Sequence, residues 1–299
     1  MLKVCCDHSF ILAKEIINHP ELKDDSHKVF VFTVNLLEYE EDIKILWECL
    51  STREQLKANK YYTEDLRKKY IISHGILRHI LSYYAAQLPQ ELEFVYHRYG
   101  KPFLRNSSIQ FNMSHSHDLV SYIISPHYYV GIDIEWRDVD LDVCSLSDLV
   151  LTLDEHNFML KLEPLEKLGF FYKLWTAKEA VIKADGRGMS YPINTINAMS
   201  PTLGQKIWLN NDDKPIQEWY HFPLHISAAY SGAIAIERRI NQIVFLEIGS
   251  HNFPKGTDLS IYSKKDLDEV ALMLNSRPRK TLGFLTPFDK LKQVIALTA

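Results

Sequence analysis

Phe171-Tyr-Lys-Leu-Trp-Thr-Ala-Lys-Glu-Ala-Val-Ile-Lys-Ala-Asp-Gly-Arg-Gly188 reads as one helix carrying both an apolar anchor and charged chemistry. Phe171, Leu174, Trp175, Val181 and Ile182 supply the anchor. Trp175, Glu179 and Lys183 follow at i, i+4 and i+8, so they share one face. Gly186 and Gly188 mark the stop. A carboxylate and an ammonium on a stripe that also holds an aromatic need a partner or a metal if they are buried. The bland reading of Glu179 and Lys183 is an ion pair on a solvated helix face; sharing that face with Trp175 favours a site.

Working outward, Val130-Gly-Ile-Asp-Ile-Glu-Trp136 has the alternation of a strand. Ile132, Ile134 and Trp136 fall on one face, and Gly131, Asp133 and Glu135 on the other. Two carboxylates at i and i+2 repel unless a cation sits between them. With Glu179 they form a set of three oxygen donors without sulfur, which suits Mg²⁺ better than Zn²⁺. An edge strand with two solvated acids is the competing explanation.

The chain has 299 residues, enough for one large domain or two small ones, and its 46% hydrophobic and 24% charged content is that of a globular protein. The net charge of −4 argues against general nucleic-acid binding. The basic residues are unevenly spread, with an excess after Ile248. Cys5, Cys6, Cys49 and Cys144 show no Cys-x-x-Cys spacing, which predicts reduced thiols and a cytoplasmic location. Asp7 and His8 interrupt the N-terminus before any apolar run, so no signal peptide is expected. No stretch has the roughly 18 apolar residues of a membrane span.

Along the chain, Lys28 to Glu38 reads as a buried strand. Leu46 to Tyr84 reads as helix in two pieces, broken near Asn59 to Tyr62, with Thr63 as the cap of the second. Phe94 to Tyr99 reads as a strand before the turn Gly100-Lys101-Pro102. Ile109 to Met113 and Leu119 to Ser125 pair through a connection at Ser114 to Asp118. After the Phe171 helix, strands are expected at Thr195 to Met199, Lys206 to Leu209, His225 to Tyr230 and Ala233 to Ile236. This order predicts an α+β protein of two similar lobes in pseudo-twofold arrangement, 1–125 and 126–240, followed by a short helical tail at 241–299.

Ser114-His115-Ser116-His117 lacks a third ligand for zinc, and no Gly-x-Ser-x-Gly elbow supports a hydrolase triad with Asp133. A histidine contacting an anionic ligand and a plain polar turn both remain open. Lys101 is a cation on a turn. Arg53, Lys57, Lys60, Arg67, Lys68 and Lys69 form a basic helical run, either a solvated face or a phosphate holder. Lys178 reads as a surface or a phosphate-facing residue.

Four blocks stand in a telling order: Tyr99-Gly-Lys-Pro-Phe103, Phe111-Asn-Met-Ser-His-Ser116, Val130-Gly-Ile-Asp-Ile-Glu135 and Trp175-Thr-Ala-Lys-Glu-Ala-Val-Ile-Lys183 through Gly188. Together they resemble the 4′-phosphopantetheinyl transferases, specifically the two-lobed surfactin-synthetase-activating (Sfp) type, over about residues 28 to 237. The resemblance implies transfer of the phosphopantetheine arm of coenzyme A to a serine of an apo acyl or peptidyl carrier protein, with release of adenosine 3′,5′-bisphosphate. It implies Mg²⁺ on Asp133, Glu135 and Glu179, with Glu179 also the base on the serine. It implies that Lys183 acts on the leaving nucleotide. It places Lys57, Lys101, Ser114, His115 and Asp133 around coenzyme A. Glu54 departs from the pattern, standing where a cation is expected. The alternatives are another Mg²⁺-dependent phosphotransferase, or an inactive remnant whose tail disrupts the enzyme.

The tail differs in character. Phe253-Pro-Lys-Gly-Thr-Asp-Leu-Ser260 and Leu274-Asn-Ser-Arg-Pro-Arg-Lys-Thr-Leu-Gly-Phe-Leu-Thr-Pro287 resemble the end of bacterial insertion-sequence transposases. That family's Glu-Asn-x-Asn-Gly stretch is missing upstream, where Ile243-Val-Phe-Leu-Glu-Ile-Gly-Ser250 stands. The tail is therefore expected to be a passenger without transposase or nucleic-acid function. The expected partners are coenzyme A and a carrier protein, with no membrane, for a monomer.

Overall fold

The computed structural model describes residues 28–199, 205–211, 214–240 and 242–248. The readings of Cys5 and Cys6, and of the tail beyond Ile248, lie outside the described residues.

Strand β1 (Lys28–Asn35) opens the first half, with Val29, Phe30, Val31, Phe32 and Val34 all buried. The expected strand is shorter than Glu38 because Asn35 caps a 3₁₀ turn at Leu36–Tyr39 by accepting from Leu37 N. Three helices follow: α1 (Ile43–Cys49), α2 (Thr52–Ala58) and α3 (Glu64–Ala85). The expected break before Thr63 is present, and Thr63 Oγ1 accepts from Leu66 N at 3.3 Å. A further break falls at Ser51, whose hydroxyl accepts from Glu54 N while Glu54 returns a bond to Ser51 N. This capping box starts a new helix. On α3, Tyr70, Ile71, Ile76, Leu77, Ile80 and Leu81 are buried in one core with Phe30 and Phe32 of β1.

A short hairpin, β2 (Phe94–Tyr96) with β3 (Pro102–Leu104), precedes β4 (Gln110–Ser116) and β5 (Leu119–Ser125). Strand β4 is longer than the sequence suggested. It runs through Ser114 and His115, and the turn shrinks to His117-Asp118, with His117 at φ +51°. The first sheet has the order β10 (Gln242–Ile248), β1, β5, β4, with β5 antiparallel to both neighbours.

The second half repeats this plan. Strand β6 (Val130–Trp136) is followed by α4 (Val143–Val150), α5 (Leu153–Met159) and α6 (Pro164–Asp185). Strands β7 (Gln205–Asn211), β8 (Lys214–Pro223) and β9 (Tyr230–Ile236) complete a sheet of order β6-β9-β8-β7. In each half the first strand pairs antiparallel with the last, which pairs with the one before it. Each half also carries a helix of 22 residues ended by a left-handed residue, Ala86 or Gly186. The α+β fold of two similar lobes is thus the observed architecture.

Two expected strands are absent. Thr195 to Met199 is a 3₁₀ turn and coil, because Ala198 N is taken by the buried Glu155 carboxylate at 2.7 Å instead of a neighbouring strand. His225 to Tyr230 is a turn in which Tyr230 N reaches back to Ser227 O. The strand role falls to β8, centred on the fully buried Trp219.

Strand β10 (Gln242–Ile248) pairs in parallel with β1 and buries Val244 and Leu246 in the first core. The expected junction between enzyme and tail therefore contains a strand of the first sheet. A chain ending at Arg239 should lose the burial of two aliphatic side chains, worth about 1.5–3 kcal/mol each. It should also leave β1 with an open edge. A chain ending at Ser250 should melt like the full protein. Thermal melting of the two truncations checks this, and equal melting temperatures would count against β10 as a structural strand.

Candidate active site

Helix α6 lies directly on β6 because Gly131 has no side chain. A Cβ there would stand 2.0 Å from Ala180 O and 2.5 Å from Ala184 N. The two elements run in opposite directions, since Gly131 meets Ala180 and Ala184 while Asp138 N meets the Tyr172 hydroxyl. This brings Lys183 onto Asp133, with Nζ 2.6 Å from Oδ1. Trp175 is half-buried on the same helix face and stacks on Tyr172 at 5.9 Å.

Strand β4 contributes through side chains what a neighbouring strand gives through its backbone. Asn112 Oδ1 accepts from Ile132 N, Ser114 Oγ from Ile134 N and Ser116 Oγ from Trp136 N. Both serines then donate to the acids of β6: Ser114 to Asp133 Oδ1 at 2.9 Å and Ser116 to Glu135 Oε2 at 3.0 Å. The Lys183 ammonium also donates to Ser114 Oγ at 3.0 Å. The period-two spacing of Asn112, Ser114 and Ser116 puts all three on one face, which joins the lobes and orients the carboxylates.

Burial raises the pKa of Asp133, Glu135 and Glu179. The Asp133 charge pushes Glu135 and Glu179 further up, and Glu135 reaches about 7. The three acids are therefore neighbours. They do not meet at a point, however: among the described residues no three His, Cys, Asp or Glu side chains are gathered closely enough to hold a metal ion. The set of three oxygen donors expected from the spacing is therefore not assembled into a closed ligand cluster here. The reason is electrostatic, because three carboxylates without a cation repel and Lys183 already neutralises Asp133. The donor set still fits a hard cation. Asp133 Oδ2 is buried without a hydrogen-bond partner, and all three side chains end in carboxylate oxygens.

A pH dependence follows. Between about 4.5, the ordinary value, and about 7, folded Glu135 holds a proton that the unfolded chain has released. Stability should therefore fall as pH rises through that window. Added Mg²⁺ should raise the melting temperature more above pH ~7 than at pH ~5, where protons compete for the carboxylates. Urea titrations across this range, with and without Mg²⁺, would show it; stability independent of both pH and Mg²⁺ would contradict it.

Next to this acidic end lies a basic one. Burial lowers the His115 pKa, and the charges of Lys183, Lys57 and Lys69 lower it further. His74 of α3 is brought down to about 4 by burial, with Lys57 and His115 adding to the effect. His74 stacks on Tyr70 at 3.8 Å, and Lys57 Nζ lies 5.1 Å over the Tyr70 ring. His115 thus lies within the fields of Lys57, Lys69 and Lys183, of which Lys69 is paired with Asp118 and Asp65 and Lys183 with Asp133.

Some expected roles change. Lys101 is buried, with its ammonium on two backbone carbonyls, Val130 O and Ala184 O, rather than facing the cleft. Lys178 is neither a surface nor a phosphate-facing residue: it is fully buried on Glu155 at 2.5 Å and Val150 O at 2.6 Å. Glu54 is no exposed departure. It is buried against Arg78, with Oε2 2.8 Å from Nη2, while it closes the α2 capping box. Ser116 stands in the Ser114 to His117 run without a role of its own, and His74 is not among the expected site residues. Ser116 had a signal in its i+2 spacing from Ser114, whereas His74 looked like one polar residue on an otherwise apolar helix.

Comparison with known proteins identifies the family. Residues 129–235 match the family model of the 4′-phosphopantetheinyl transferase superfamily, and residues 38–127 match that of the 4′-phosphopantetheinyl transferase N-terminal region. The chain is 31% identical to the 4′-phosphopantetheinyl transferase HetI of Nostoc, over 63% of this chain and 81% of that protein. It is 35% identical to AcpT of Salmonella typhimurium, over 42% of this chain and 64% of that protein. It is also 35% identical to gsp of Aneurinibacillus migulanus, over 43% of this chain and 53% of that protein. Both of these are likewise named 4′-phosphopantetheinyl transferases. The chain belongs to the 4′-phosphopantetheinyl transferase family. It is an enzyme, and its reaction is transfer of phosphopantetheine from coenzyme A to a carrier protein.

Proposed function

We propose that the acidic and basic ends of this cleft divide the transfer between them. The observation that carries the reading is the Lys183–Asp133–Ser114 network where the two ends meet. Lys57 and His115, with Ser114 beside them, receive the phosphates of coenzyme A. Asp133, Glu135 and Glu179 hold Mg²⁺, which when bound neutralises charge on the pyrophosphate.

Glu179 takes the proton from the carrier serine, directly or through a water. Burial and the Asp133 charge raise the Glu179 pKa, which makes it a stronger base than an exposed carboxylate. The serine oxygen bonds to the phosphorus that carries the pantetheine arm as the bond to the leaving phosphate breaks. Lys183 stabilises the departing 3′,5′-ADP by charge or by donating a proton.

The carrier is an acyl or peptidyl carrier protein, and the enzyme is of the Sfp type, monomeric and cytoplasmic. The two-lobe plan supports the Sfp assignment. Among the described residues no helix is long and apolar enough to cross a membrane. The tail beyond Ser250 is a transposase-like passenger that takes no part in the reaction. Incubation with coenzyme A and an apo-carrier protein tests the reading through the mass of the carrier.

A further inference from the structure

We propose that Lys101 is a positioning residue that brackets α6 to β6 and so sets Glu179 and Lys183 against Asp133 and Glu135. The inference rests on the site reading above. It replaces the phosphate-binding role that resemblance gives this lysine.

The bracket starts in a tight turn. His97 N donates to Lys101 O at 2.9 Å and Gly100 N to His97 O at 2.8 Å, with Gly100 at φ +92°, a conformation glycine adopts without strain. The turn sends the Lys101 stem over the end of α6. There Gly186, at φ +88°, leaves it room: a Cβ on Gly186 would lie 3.2 Å from Lys101 Cδ. The ammonium then donates to Ala184 O at 2.6 Å and Val130 O at 3.1 Å.

Ala184 O belongs to the last turn of α6, whose carbonyls lack intrahelical partners and carry the negative end of the helix dipole. A cation there is doubly favoured. Val130 opens β6, three residues before Asp133, and Ala184 adjoins Lys183. One side chain therefore ties down both elements within three residues of the Lys183–Asp133 contact. The Tyr129 ring lies 5.8 Å from the ammonium, and burial brings the Lys101 pKa down to about 7 against the opposing fields of the Asp185 and Glu237 carboxylates. Lys101 is 7% exposed, with two of its three N–H groups spent on carbonyls. A phosphate could recruit it only by dissolving the bracket.

The two roles predict opposite kinetics. With the bracket lost in Lys101→Met, α6 shifts on β6, and displacement of reacting groups by about an ångström costs ~10²-fold in rate. The expected result is a kcat for carrier modification lower by ~10–100-fold, with the Kd for coenzyme A, measured by calorimetry, unchanged within about twofold. Coenzyme A binding weakened in step with kcat/KM at unchanged kcat would overturn the proposal and restore the phosphate role. Unchanged kcat and Kd would also overturn it.

The unsubstituted enzyme gives a second measurement that does not depend on the variant folding. Below pH about 7 the Lys101 ammonium should appear in NMR spectra as a proton-protected signal that coenzyme A leaves in place. A large shift on adding coenzyme A would contradict the bracket. Activity of the unsubstituted enzyme in the same series keeps failure of this inference separate from failure of the functional reading.

Discussion

Gly131→Ala is expected to cost ~3 kcal/mol or more of stability, or to abolish folding, although it adds one methyl group. The new Cβ would sit 2.0 Å from Ala180 O and 2.5 Å from Ala184 N, both backbone atoms of α6 that no rotamer change can move. Helix and strand must separate, and Ala180, Val181 and Ala184, all buried, lose packing. Gly169 provides the contrast within the same helix. A Cβ there meets nothing within 4 Å, so Gly169→Ala should stabilise by about 0.5–1 kcal/mol through helix propensity. Urea unfolding of both variants checks the pair. Wild-type stability for Gly131→Ala would mean that α6 does not lie on β6 as described.

The second large effect is chemical. Glu179→Gln keeps the shape of the side chain and removes its ability to accept a proton or carry charge beside Asp133. Carrier modification should fall by ~10²–10⁴-fold, the range for loss of a general base. Coenzyme A should still bind, because Lys57 and His115, the residues proposed to receive its phosphates, are untouched. Stability should hold or rise slightly, since Asp133 and Glu179 repel. Activity within a few-fold of wild type would remove Glu179 from the reaction.

What could be read in advance was what period and spacing encode. Asp133 and Glu135 at i and i+2, and Trp175, Glu179 and Lys183 at i, i+4 and i+8, depend only on strand and helix geometry. The partner of Lys183 could not be read in advance: its ammonium lies on Asp133 of β6, where spacing offered Glu179. The two-lobe plan was legible from the order of elements, because each lobe brings one long helix to one sheet.

Contacts between distant segments were not legible. Nothing local in Gly100-Lys101-Pro102 announces that the ammonium ends on Ala184 O, 83 residues away in sequence. Glu54 stands where the resemblance expects a cation, and its partner, Arg78, could not be read because it sits on another helix. Ser114 and His115 were assigned to a connection because polar residues suggest loops. Here they extend a strand, since Asn112, Ser114 and Ser116 satisfy the backbone of β6. Strand β10 was hidden in a stretch whose sequence character was changing, and its partner β1 lies at the other end of the described chain.

The central claim is that the acids of β6 and α6, with Mg²⁺, support transfer of phosphopantetheine to a carrier serine. Intact-mass measurement of apo-carrier proteins, one acyl and one peptidyl, after incubation with the enzyme and coenzyme A tests it most directly. With Mg²⁺, at least one carrier should gain the mass of one phosphopantetheinyl group; with a chelator in place of Mg²⁺, neither should. No gain on either carrier in the presence of Mg²⁺, or the same gain with the chelator, would contradict the account.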